Sequence, residues 1–105
     1  MATDWGSVKT DALAAMQKCL EGKWPTVCMG ATGAMQSLIE TGRYIVEHKN
    51  QMSPDEYKML MDEQKDCVKR VLTGYESISM AAANNAIAEA VNVIVKAVPA
   101  LLGIA

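Results

Sequence analysis

Val71-Leu72-Thr73-Gly74-Tyr75-Glu76-Ser77-Ile78-Ser79-Met80 joins two segments of opposite character. Residues 49–76 are densely charged, whereas residues 77–105 carry only Glu89 and Lys96. Helical spacing nevertheless runs through the junction. Tyr57, Leu60, Met61, Gln64, Cys67, Val68, Val71, Leu72 and Tyr75 form one stripe, and Met80, Ala83, Ile87, Ala90, Val91, Ile94, Val98 and Leu101 resume it. Gly74 is the only interruption, and a lone Gly inside a helical pattern is tolerated. The reading favoured is one helix over residues 54–98, with Pro99 disturbing its last turn. A break at Gly74, giving four helices in place of three, is the alternative.

The start of this helix is the sharpest local signal. In Gln51-Met52-Ser53-Pro54-Asp55-Glu56-Tyr57, Ser53 is an N-cap, Pro54 fills the first helical position, and Glu56 completes a capping box. Met52 stands where a hydrophobic staple begins.

Two further helices precede it. Over residues 4–20, Trp5, Val8, Ala12, Ala15 and Cys19 share a face, with Leu13, Met16 and Leu20 beside it. Glu21-Gly22-Lys23-Trp24-Pro25 ends this helix, with Gly suited to the position after a helix and Pro to the first turn of the next. Over residues 25–50 the stripe is Val27, Ala31, Ala34, Met35, Leu38, Gly42 and Ile45. Gly30, Gly33 and Gly42 each cost about 1 kcal/mol relative to Ala inside a helix, so they need a reason. Close helix packing is the economical one, and a kink near residues 30–33 is the other.

The expected fold class is therefore all-α, an antiparallel helical bundle with a long C-terminal helix, in one domain over residues 1–105. A helix of ~45 residues spans ~65 Å, against ~39 Å and ~27 Å for its companions. So long an apolar stripe overhangs them, and the overhang calls for a second copy, a twofold dimer first of all. The expected interface is Val71, Leu72, Tyr75, Ile78, Ile87, Val91, Ile94, Val98 and Leu101. Another protein could meet the same C-terminal helix. A membrane-associated protein whose C-terminal segment touches lipid is the alternative. Residues 90–105 fall short of the ~20 apolar residues of a span, however, and Lys96 is costly there.

Composition narrows the class. Hydrophobic residues make up 50% of 105, with eight Met and no Phe, so the core is built from Leu, Ile, Val, Met and Ala. A net charge of −2 argues against a nucleic-acid surface. Lys58, Lys65, Lys69 and Arg70 are interleaved with Asp62, Glu63 and Asp66, which cancels their field. Cys19, Cys28 and Cys67 are odd in number and widely spaced, as suits a reducing cytoplasm, and all three thiols are expected in the core. The first residues lack the pattern of a signal peptide.

Catalytic, cofactor and metal sites are not expected. Asp62 and Asp66 lie one helical turn apart, but neighbouring Lys and Arg can pair with them, which makes a solvated face the better reading. His48, the single histidine, has no Glu three residues before it and no Cys or His cluster nearby, and it suits the last carbonyls of its own helix. Gly30-Ala31-Thr32-Gly33 lacks the Lys-Ser/Thr ending of a phosphate loop. The expectation is a soluble, cytoplasmic, non-catalytic interaction or structural module that self-associates through its C-terminal helix.

Overall fold

The computed structural model describes residues 3–101. Four helices, α1 (Trp5–Leu20), α2 (Trp24–His48), α3 (Pro54–Thr73) and α4 (Met80–Ala97), follow one another, with short 3-10 turns at Glu21–Lys23, Lys49–Gln51 and Pro99–Leu101. The described residues contain no strand. The segment 102–105, part of the expected tail, lies outside the described residues.

Side chains cap the starts of α1, α3 and α4, whereas α2 has no side-chain cap and carries Pro25 in its first turn. Asp4 Oδ1 accepts from the Ser7 amide at 3.1 Å. Ser53 and Glu56 form the expected capping box, with the Glu56 amide donating to Ser53 Oγ at 3.3 Å and the Ser53 amide donating to Glu56 Oε1 at 3.4 Å. Ser79 caps α4 by accepting from the Ala82 amide at 3.1 Å.

That last cap corrects the continuous helix over residues 54–98. The helical run stops at Thr73, the chain turns through residues 74–79, and Ser79, in extended conformation, restarts it. Ser79 offers the new helix an acceptor that a helical serine could not. Ile78 and Ala83, at the two staple positions around that cap, are both buried.

Neighbouring helices run antiparallel. The Trp5 ring, at the start of α1, approaches Gly42 late in α2. Val71 and Tyr75, at the end of α3, meet Gly30 early in α2. Cys19 Sγ, at the end of α1, lies 3.9 Å from the Asn85 carbonyl oxygen near the start of α4. Packing is most extensive between α1 and α4, then between α2 and α3, with α1–α2 and α3–α4 contacts closing the ring. The result is an up-down-up-down four-helix bundle.

Folding back removes the length mismatch on which the overhang rested. Helices of 20 and 18 residues are ~30 Å and ~27 Å long, comparable with α1 and inside a molecule of 41 × 26 × 19 Å. Val8, Ala12, Met16 and Leu20 of α1 form one buried seam, and Met35, Leu38, Ile45, Met61, Leu72 and Ile94 fill the centre.

Two of the three α2 glycines serve close approach. A Cβ on Gly30 would stand 2.9 Å from Tyr75 Oη and 3.1 Å from Val71 Cγ1, and one on Gly42 would stand 3.3 Å from Leu101 Cδ1. Gly33 faces open space, and α2 runs unbroken through it. At the first turn the left-handed conformation falls on Glu21 (φ 46°) and not on Gly22. The expected burial of the thiols is also corrected. Cys19 and Cys67 are exposed and Cys28 is half-buried, because the buried seams run through their neighbours Leu20, Val27 and Val68.

Candidate interaction surface

The nine residues expected at an interface lie on the C-terminal third of the chain. Leu72, Ile78, Ile87, Val91, Ile94, Val98 and Leu101 are buried within the chain itself, and Val71 and Tyr75 are half-buried against Gly30. One chain thus covers the stripe that was expected to overhang. The cause is the turn at residues 74–79, which lays α4 along α1.

The α1–α4 seam works through small side chains. Ala83, Ala86 and Ala90 of α4 are fully buried, as is Ala12 of α1, and Ile87, Val91 and Ile94 are buried beside them. Alanines bring two helix axes close and lose no side-chain entropy on burial. The outer face of α4 is Asn84, Asn85, Ala88, Glu89, Asn92 and Lys96, all exposed. Low charge over α4 therefore reflects a small-residue inner face and an amide-rich outer one. Among the described residues no helix is long and apolar enough to cross a membrane.

A cleft of about 670 Å³ lies between α2 and α3, with Tyr44, His48, Met52 and Leu60 among its lining residues. Tyr44 and His48 stack with ring centroids 4.0 Å apart. His48 Nδ1 sits 2.9 Å from the Tyr44 carbonyl oxygen, which can only accept, so Nδ1 carries the proton. The histidine thus closes the end of its own helix. The carboxylates of the cleft are similarly engaged. Glu40 Oε1 accepts from Gln36 Nε2 at 3.0 Å, and Glu56 belongs to the capping box.

The acidic cluster on α3 is a solvated face. Asp62, Glu63 and Asp66 are exposed, and Lys65 Nζ reaches Asp62 Oδ1 at 3.4 Å. Among the described residues no group of three His, Cys, Asp or Glu is placed to hold a metal ion. Of the methionines, Met16, Met35 and Met61 are core, while Met29, Met59 and Met80 are exposed.

Sequence reasoning missed Ser79. Its signal was a serine preceded by the apolar Ile78 and followed by a run of alanines. Comparison with protein-family models, with curated proteins and with solved structures finds no match to this chain.

Proposed function

We propose that the protein is a small helical interaction module that pairs with a second copy of itself through its C-terminal helix, without catalytic chemistry of its own. One observation supports this reading. α4 is joined to α3, yet it packs more extensively on α1. The apolar face of α4 is thus shaped for a partner helix that is distant in the chain, and a second copy offers an identical α1. Isologous pairing of this kind needs no surface beyond those already present. A protein partner carrying an α1-like face would meet the same helix. Three unpaired thiols, two of them exposed, suit a reducing cytoplasm.

The test is light scattering on the full chain, eluted from a sizing column at increasing load. Self-association predicts a mass that rises from 11.3 kDa towards twice that value. A mass fixed at one chain throughout the concentration range refutes it.

A further inference from the structure

We propose that the connection at residues 74–79 is a hinge that straightens into helix, so that α3 and α4 become one rod and two copies exchange their α4 helices. This deepens the self-association reading and rests on it. Three features of the molecule carry it.

The first is the backbone of the hinge. Gly74 has φ −66° and ψ −19°, and its amide donates to the Arg70 carbonyl at 3.0 Å, so it is already helical. Glu21 is the one non-glycine residue with positive φ among those described, so no hinge residue must cross to negative φ to become helical. Ser79 (φ −74°, ψ 160°) needs mainly a rotation about ψ.

The second is phase. Leu72 and Ala83, both fully buried, are eleven residues apart, and a continuous helix would bring them back to within about 20° of each other. Val71, Tyr75, Ile78 and Ala82 follow at steps of four, three and four. The apolar stripes of α3 and α4 therefore align when the hinge becomes helix. A connection selected only for turning back has no need of that alignment.

The third is how α4 is held. Its principal neighbour is α1, which the second copy supplies in the same form. In the exchanged dimer each α4 lies in the position that the other chain's α4 vacates, against α1 and α3, so the seam of Ala12, Ala83, Ala86 and Ala90 is retained. The changes are confined to the hinge. The Ser79 cap is lost, helical hydrogen bonds through residues 75–79 are gained, and two rods of ~66 Å cross at a twofold axis near Gly74.

The test uses the proximity of Cys19 to α4. Ala88 and Cys19 line the same groove between α1 and α4. A full chain carrying Ala88→Cys, Cys28→Ser and Cys67→Ser is folded at high concentration and separated by size. Each fraction is then oxidised and run on a denaturing gel without reductant. Exchange predicts a dimer fraction in which Cys19 of one chain is bonded to the introduced thiol of the other, and a monomer fraction bonded within the chain. A control retaining Ala88 identifies any bond between two Cys19 residues. Adding Ser79→Ala, which removes a cap that only the folded-back chain uses, should tighten association on the order of tenfold or more. A dimer bonded only within each chain overturns exchange and leaves self-association standing through another surface. Monomer alone at every concentration, in both the reporter chain and the hinge variant, overturns both.

Discussion

α3 and α4 are neighbours in sequence and nearly equal in length, yet they meet water and core in opposite ways. The outward residues of α3 include Asp55, Glu56, Lys58, Asp62, Glu63, Asp66 and Arg70, and its buried ones are the large Tyr57, Met61, Val68 and Leu72. α4 turns asparagine and alanine outward and buries alanines among a few branched residues. The contrast separates two routes to an amphipathic helix. α3 divides its faces by polarity. α4 divides them by size and shape, and its inner face gains from close approach to α1 what it lacks in side-chain volume. A poorly charged segment is thus fully consistent with burial inside a single chain.

The largest effects should come from charge placed in α4. Ile94→Asp puts a carboxylate where the side chain is almost entirely enclosed, and it should destabilise by about 4 kcal/mol or more. Asn92→Asp on the outer face should stay within about 0.5 kcal/mol. Urea unfolding followed by circular dichroism measures both. Similar midpoints for the two variants would mean that α4 is not packed as described. Because Ile94 is core, its loss reports on folding and cannot by itself locate an interface.

Volume changes come next. Ala86→Leu overfills the α1–α4 seam and should cost about 1–3 kcal/mol. Met61→Leu in α3 roughly conserves volume and should cost less than about 1.5 kcal/mol. If α4 accepts the larger side chain as easily as α3 accepts its swap, the seam is looser than the buried alanines indicate.

Smaller still are the caps. Ser53→Ala and Ser79→Ala should each cost about 1 kcal/mol. The α3 variant should be the worse of the two, since Glu56 answers Ser53 reciprocally and Ala82 offers nothing to Ser79. Equal thermal shifts would show that the reciprocal bond adds nothing.

The same caps explain what could be read from the amino acids. Ser53, Pro54 and Glu56 are three coincident signals for one helix start, and that start falls where they place it. Ser79 had only its hydroxyl and Ile78 before it, and Gly74 adopts a helical conformation, so nothing local marked the end of α3. Aligned stripes on either side of the hinge made continuity the natural reading. The helical class, the α1 and α2 spans and most of each inward stripe were legible because periodicity reports burial directly. Cys19, Cys67 and Met80 of those stripes are nevertheless exposed, and the α1 seam runs through Met16 and Leu20. Periodicity does not say what does the burying. The place of Leu72, Ile87 and Ile94 inside the chain therefore depended on a turn with no strong signature. The exposed positions of Cys19 and Cys67 depended on which flank of each stripe faced the bundle axis.

Interhelical distance in solution tests the central claim, that α4 serves α1 wherever that α1 comes from. Spin labels on Gln17 in α1 and Glu89 in α4, in a chain with its native cysteines replaced by serine, would be measured by pulsed electron resonance. Labelled chains would be folded alone and with an excess of unlabelled chains. The account predicts a short distance in the undiluted sample, joined by longer ones where chains have exchanged, and a loss of the short distance after dilution in proportion to the exchanged dimer. Absence of the short distance from the undiluted sample would contradict it, because α4 would then lie away from any α1.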